Sequence, residues 1–423
     1  MKFIHCSDLH IDSPLDGLER YPGAPVAELR GATRQALVNL VDLAVSRRVD
    51  FLVIAGDIFD GDWRDMNTGL FFNSQMRVRE RAGISVYLKR GNHDAASEVT
   101  RALTLPDNVH VFDADKPQTI RRDDLRVALH GRSFSDRATP NDLAATYPDP
   151  VPGFFNIGVL HTSLAGYAAH DPYAPTSLDI LRSRGYDYWA LGHVHAREVL
   201  QAEYPRIIYC GNPQGRHAGE TGAKGCELVS VEGGDLQSES MALDVVRWAV
   251  IDLPIDGFTD MAQWRRSAQA LMREAHDAAA GRLSAWRLQI VGTGSLHEPL
   301  AGRIDDVGAD LRQLADAASG GLAWVEKIRV RSRASTRSFL GSPVVMSDDD
   351  PLLACLRLSQ SLQSETQGLK TFAQDALNDV LVRLPSSLRI GPQSIGFDDA
   401  DMLAALIREA EAMLLDRLGD GAS

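Results

Sequence analysis

The chain has 423 residues, 44% hydrophobic and 24% charged, with a net charge of −13. That length predicts two or three domains. The acidic balance argues against a protein coated in basic surface for nucleic acid, and no apolar stretch reaches the roughly 18 residues of a membrane span.

An apolar run at Phe3–Cys6 opens the chain and leads straight into Asp8 and His10, in FIHCSDLHID. A strand that begins by residue 3 leaves no room for a signal peptide, so a cytoplasmic protein is expected. Cys6, Cys210, Cys226 and Cys355 include no CxxC pair. Neither a zinc ribbon nor a disulfide framework is expected; buried free thiols are.

Further runs read as strands: FLVIA at 51–55, ISVYL at 84–88, RVALHG at 126–131, FFNIGVL at 154–160 and YDYWAL at 186–191. Between the first two strands, Leu29, Ala36, Leu37, Leu40, Val41 and Ala44 recur at three and four, which predicts an amphipathic helix over 28–48. The alternation points to α/β layering. From Ile207 to Met241 the pattern is strand-rich, with Gly233-Gly234 as a hairpin turn. A break near 244–248 begins a strand–helix–strand–helix–strand pattern that predicts a compact domain over 246–335. The remainder, 336–423, reads as helical. It carries thirteen acidic and six basic side chains over 346–423, whereas 325–337 carries five basic and one acidic. A nucleic-acid surface fits the second stretch better than the first. The plain alternative there is a solvated strand face.

Five polar clusters trail these apolar runs: DLH at 8–10, GDIFD at 56–60, GNHD at 91–94, His161, and GHVH at 192–195. A pair of divalent ions about 3.5–4 Å apart needs a bridging carboxylate, further N and O donors, and open positions for water and phosphate. Asp57 suits the bridge, since it leaves a strand end behind Gly56. Asp8, His10, Asn92, His161, His193 and His195 follow strands in the same way, and open α/β sheets bind ligands at that edge. In extended segments, Asp-x-His and His-x-His place both side chains on one face. His93 can act on the scissile phosphate as a general acid or charge stabiliser, with Asp94 orienting its imidazole. Asp12 and Asp60 fit a turn or supporting role as well as metal contact. A single aspartate after a strand is usually a turn residue or helix cap. Here five of the twelve histidines fall in four such motifs. Mixed N and O ligands suit Mn, Fe or Zn, and no thiolate selects a soft ion.

These residues resemble the calcineurin-like metallophosphoesterase superfamily over roughly 1–242. Within it the chain is similar to the DNA-repair exonuclease branch, the SbcD/Mre11-type nucleases and especially YhaO-like proteins. The grounds are MKFIHCSDLHIDSPL, HGRSFSD at 130–136, IGVLHTSLAG at 157–166, DYWALGHVHAREVL at 187–200 and YCGNPQGRHAGETGAKGCELV at 209–229. The resemblance implies a four-layer α/β fold: a β-sandwich flanked by helices, a small α/β capping domain, and a helical C-terminal segment. The domains would be 1–245, 246–335 and 336–423. It implies that Asp8, His10 and His195 hold one metal, that Asn92, His161 and His193 hold the other, that Asp57 bridges them, and that His93 acts on the phosphate or leaving group. It implies Mn²⁺ as the usual ion, with Fe, Zn or Mg as alternatives. It also implies DNA as substrate, an SMC/Rad50-like coiled-coil ATPase bound through 346–423, and homodimerisation.

The expected function is therefore two-metal hydrolysis of DNA phosphodiesters in DNA repair. One alternative keeps the site and changes the substrate to a cyclic nucleotide, a nucleotide-sugar lipid or a phosphoprotein; the cap and loops decide between them. Another is an inert scaffold that only binds a partner, which predicts missing ligands, yet all seven and His93 are present.

Overall fold

The structure is a computed structural model. It describes residues 1–13, 23–60, 65–96, 103–135, 142–164 and 175–334, and beyond them only 357–359, 361, 403, 406, 407 and 410. The helical segment expected at 336–423, apart from those few residues, and Cys355 lie outside the described residues. The chain divides into two compact units: Met1–Gly292 with Glu298–Ser332, and Thr293–His297 with Arg333–Ser423.

In chain order the strands of the first unit begin with β1 (Lys2–Cys6), β2 (Phe51–Ile54), β3 (Ser85–Leu88), β4 (Val109–Val111), β5 (Gln118–Arg122), β6 (Val127–Gly131) and β7 (Phe155–His161). They continue with β8 (Tyr188–Gly192), β9 (Glu198–Gln201), β10 (Arg206–Tyr209), β11 (Gly225–Glu232) and β12 (Asp235–Ala242). A third group is β13 (Val246–Pro254), β14 (Leu283–Val291) and β15 (Ala323–Val330). The helices include α1 (Val26–Ser46), α2 (Met66–Arg81), α3 (Asn92–Ala96), α4 (Leu178–Ser183), α5 (Met261–Ala278) and α6 (Ile304–Ser319).

Two six-stranded sheets, ordered β12-β11-β1-β2-β3-β4 and β5-β6-β7-β8-β10-β9, make the sandwich. Strand side chains alternate between faces, and the burial follows that rule. Phe3, Phe51, Val53 and Tyr87 of the first sheet meet Val127, Leu129, Ile157, Val159, Tyr188 and Ile208 of the second in an inner core. The intervening residues Ile4, Leu52, Ile54, Val86 and Leu88 face outward against Leu37 and Leu40 of α1 and Phe72 and Met76 of α2. On the far side, Leu160, Trp189, Leu191 and Ile207 pack against Leu181 of α4 and against Tyr147. The result is helix, sheet, sheet, helix: the four-layer arrangement expected from the sequence.

Helix starts follow simple capping chemistry. Asp65 accepts from Asn67 N at the head of α2, Ser177 from Ile180 N at α4, and Asp260 from Ala262 N at α5. The third sheet, β13-β14-β15, is all parallel. Its Val246, Trp248, Ala285 and Trp324 pack on Leu29 and Ala32 of α1.

Register levels the strand ends. Cys6 pairs with Ile54 and Ile54 with Leu88, so β1, β2 and β3 stop at one rim. His161 pairs with Gly192, which brings β7 and β8 to their own common end. Among the described residues, no helix is long and apolar enough to cross a membrane.

Candidate metal centre

Asp8, His10, Asp57, Asn92, His161 and His193 all lie within six residues of those strand ends, and contacts between them draw the set together. Asp8 and His10 are 1% exposed and Asp57 is 2%. Asp8, His10 and His195 present ligand atoms within 4.8 Å of one another, and so do Asp8, Asp57 and His161. Asp8 is thus common to both groups. His193 stacks edge-on to His161, ring centroids 5.3 Å apart, and its backbone N–H donates to Asp8 Oδ1 and Oδ2 at 3.2 and 3.1 Å.

The route to this convergence differs from the period-two argument. Asp8, His10, Asp57 and His193 have φ of 54°, 41°, 53° and 100°, in the left-handed region. Each costs about 1–2 kcal/mol relative to ordinary backbone, and such residues persist only where surrounding contacts over-determine them. Here the contacts are Asp8 N to Gly56 O (2.9 Å) and His10 N to Asp57 O (3.1 Å). Tight loops beyond the strands, rather than extended alternation, turn both side chains inward. Two glycines make room. A Cβ on Gly91 would strike the Asp57 carboxylate, and one on Gly56 would lie 2.5 Å from His161 Nδ1.

The imidazoles are oriented from behind. His10 Nδ1 is 2.6 Å from Asp60 Oδ1, and His195 Nδ1 is 2.7 Å from Glu220 Oε1. Each carboxylate assigns the ring proton to Nδ1 and leaves a lone pair on Nε2. Those two Nε2 atoms face each other at 3.2 Å, and Asp8 Oδ1 lies 3.8 Å from that of His195. In the second group His161 Nδ1–H donates to Ala55 O at 2.9 Å. Its Nε2 then points at Asn92 Oδ1 (3.0 Å) and Asp57 Oδ2 (3.2 Å). Both clusters gather nitrogen and oxygen ligand atoms, which is the donor set a divalent cation requires. The residues present fit a pair of such ions.

Electrostatics agree. Burial works against ionising Asp57, yet His161, His10 and His93 hold its carboxyl well below the usual range. Burial likewise opposes Asp60 and Glu220. His10 outweighs it at Asp60; His195 and Arg216 outweigh it at Glu220; both carboxyls stay low. Burial alone would lower His161, but Asp57 and Asp8 raise it.

His93 sits at the mouth, a third exposed, its ring centroid 5.2 Å from that of His10. Its backbone N–H donates to Asp57 Oδ1 at 3.1 Å. Asp94, expected behind its imidazole, does something else. Its Oδ1 accepts from Ile58 N (2.9 Å) and Phe59 N (3.1 Å), and its Oδ2 from Gly91 N (3.0 Å). Burial and the neighbouring Asp57 push its pKa up to about 7. Asp94 therefore laces the Asp57 loop to the Asn92 loop. A carboxylate near the His93 ring is that of Asp60, with Oδ1 3.9 Å from Nδ1. The reason is local: 92–96 is a helical turn, and consecutive helix residues do not face each other.

Asp12 takes a structural part, accepting from Arg34 Nε at 2.7 Å and from Thr68. Sequence reading gave no role to Glu220 or Arg216, although both lie in GNPQGRHAGET. The signal there is an Arg–Glu pair four residues apart after a strand end. Asn212, near a motif, holds Glu220 Oε2 through Nδ2 at 2.9 Å. Cys6, Cys210 and Cys226 are free and buried.

Residues 1–197 match the family described as "Calcineurin-like phosphoesterase", and residues 248–333 match "Metallophosphoesterase YhaO, middle domain". The chain is 40% identical to the "Uncharacterized metallophosphoesterase YhaO" of Bacillus subtilis, over 60% of this chain and 63% of that protein. It is 23% identical to SbcD, a component of the SbcCD nuclease of Escherichia coli K12, over 64% and 75%. It is 24% identical to "DNA double-strand break repair protein Mre11" of Sulfurisphaera tokodaii, over 51% and 58%. The match thus spans less than two thirds of the YhaO and Mre11 chains. Residues 1–197 are therefore a calcineurin-like metallophosphoesterase domain, in a chain that is YhaO-like at 40% identity and has weaker homology to SbcD and Mre11.

Proposed function

We propose that this protein is a two-metal phosphodiesterase that cuts DNA, with Mn²⁺ as the activating ion. The observation that carries the reading is the pair of acceptor clusters, Asp8/His10/His195 and Asp8/Asp57/His161, with His93 at their mouth. Divalent ions bound there would supply Lewis acidity and a nucleophilic water at neutral pH. Asp60 and Glu220 fix the tautomers of His10 and His195. Asp57 belongs to the second cluster and anchors the His93 backbone through Oδ1. His93 is placed to protonate or stabilise the departing oxygen. The choice of DNA is supported by the weaker likeness to proteins named for nuclease and double-strand break repair activity.

The same proposal assigns 1–245 to catalysis, 246–335 to a cap and 346–423 to binding an SMC/Rad50-like ATPase, with homodimerisation. The last segment lies almost wholly outside the described residues. The test is metal-dependent release of nucleotides from linear duplex DNA, run beside hydrolysis of bis-p-nitrophenyl phosphate. Both activities are expected, lost with chelator and regained with Mn²⁺. Cleavage of the small ester without any of DNA, even with the ATPase added, would move the substrate to another phosphoester.

A further inference from the structure

We propose that Arg216 is the positioning residue of the His10–His195 pole, an inference that rests on the dinuclear reading above. His10 and His195 come from opposite ends of the domain, and different loops supply the carboxylates that orient them. Arg216 spans both. Its Nη2 donates to Glu220 Oε1 at 3.1 Å, and its Nη1 lies 3.8 Å from Asp60 Oδ1 and 3.3 Å from Ser13 Oγ. Its own N–H donates to Glu220 Oε2 at 2.8 Å. Nη2 is also 3.1 Å from His195 Nδ1, but that atom carries the proton given to Glu220, so the contact is packing rather than a hydrogen bond.

The charge count explains why a cation belongs here. Asp60 and Glu220 both border the cluster that already contains Asp8. Without a counter-charge behind them, either carboxylate would gain by swinging inward and binding the ion directly, displacing a neutral imidazole. A guanidinium is always charged, and its planar fork can hold two acceptors at once. Arg216 keeps Asp60 and Glu220 as acceptors for the histidine Nδ1 protons. Its side chain is 15% exposed and lies against carboxylates at both ends, so it acts through them and not on substrate.

The neighbouring backbone is fixed by the third sheet. Trp248 Nε1 donates to Gly215 O at 3.0 Å. Gln214 Oε1 accepts from Val245 N at 2.9 Å, and its Nε2 donates to Val246 O at 2.7 Å. Arg216 is thereby held from β13 as well as from the site.

The test is a calorimetric Mn²⁺ titration of the full-length, metal-stripped chain, wild type against Arg216→Met. Losing the partners that orient metal-bound histidines costs about ten- to hundredfold in affinity. The wild type should bind two ions. In the variant, one site should weaken by that factor while the other keeps its affinity, whatever the metal-free melting midpoint does. A merely structural role would weaken both sites together. Equal affinities in the two proteins, or a joint loss, overturn the proposal. A wild type that takes up fewer than two ions sinks the dinuclear reading instead, and this inference with it. If Arg216→Met does not fold, isosteric Glu220→Gln is titrated in its place and judged by the same two outcomes.

Discussion

The Nε2 atoms of His10 and His195 face each other at 3.2 Å, each ring turned by a carboxylate on its far side. Two lone pairs so placed repel until a cation lies beside them. Metal binding should therefore stabilise the fold. A ligand at a hundred times its Kd adds about 2.7 kcal/mol. Mn²⁺ at that level should raise the melting midpoint of chelator-treated protein by several degrees, and His10→Ala should abolish most of the rise. An unchanged midpoint in the wild type would count against metal uptake at this cluster.

His93→Asn should remove turnover by at least about a hundredfold, the scale of a positioned proton donor. Metal content should stay near two ions per chain, because the predicted ligand beside it, Asn92, is unaltered. If the variant loses metal as well as rate, His93 belongs to the coordination set and not to the proton transfer.

Asp94→Ala should behave differently. It strips the acceptor from the buried N–H groups of Ile58, Phe59 and Gly91. Each unsatisfied group costs about 1–3 kcal/mol. Stability should fall by at least about 2 kcal/mol in chemical denaturation, with activity lost alongside it as the Asp57 and Asn92 loops separate. A variant with native stability and lost activity would restore the orienting role that sequence adjacency suggests.

The contrast between those two residues shows where the sequence is legible. The strands β2, β7 and β8 are wholly or almost wholly buried and stand out as apolar runs. The ligands follow them and are read from position. The strands β5 and β9, QTIRR and EVLQ, are half-exposed sheet edges without a core signal, and nothing marks them. Helix α2 hides in the same way, because Thr68, Asn73 and Arg79 occupy buried positions and blur its period. Arg216 and Glu220 lie six and ten residues beyond Cys210, in a loop whose preceding apolar run marks the strand β10 but not the roles of the residues after it. Only the folded chain shows what they touch.

Arg79 is fully buried. Its Nη1 donates to Met76 Sδ at 2.9 Å, while no acceptor among the described residues reaches Nε or Nη2. Replacing buried charge by an apolar side chain of similar size is often neutral or stabilising by about 1–4 kcal/mol, and Met matches Arg in helix propensity. Arg79→Met should therefore raise the denaturation midpoint or leave it unchanged. A loss of stability would mean the guanidinium has a partner outside the described residues.

His5 offers a titration away from the metal ligands. It is fully buried on β1, its Nδ1 3.0 Å from the Tyr188 hydroxyl and its Nε2 3.1 Å from Leu191 O. Burial lowers its pKa from 6.5 to about 3, with Leu191 O and Asp8 only partly opposing. Between those two values the unfolded chain binds a proton that the folded chain refuses. The stabilising contribution of the neutral ring is thus complete above about pH 6.5 and is lost as pH falls towards the folded value, at up to about 1.4 kcal/mol per pH unit. Chemical denaturation of the metal-free protein at pH 7, 6 and 5 should show stability falling faster in the wild type than in His5→Gln. Parallel curves would mean that the imidazole is charged inside the fold, which the contact with the Leu191 carbonyl alone could not support.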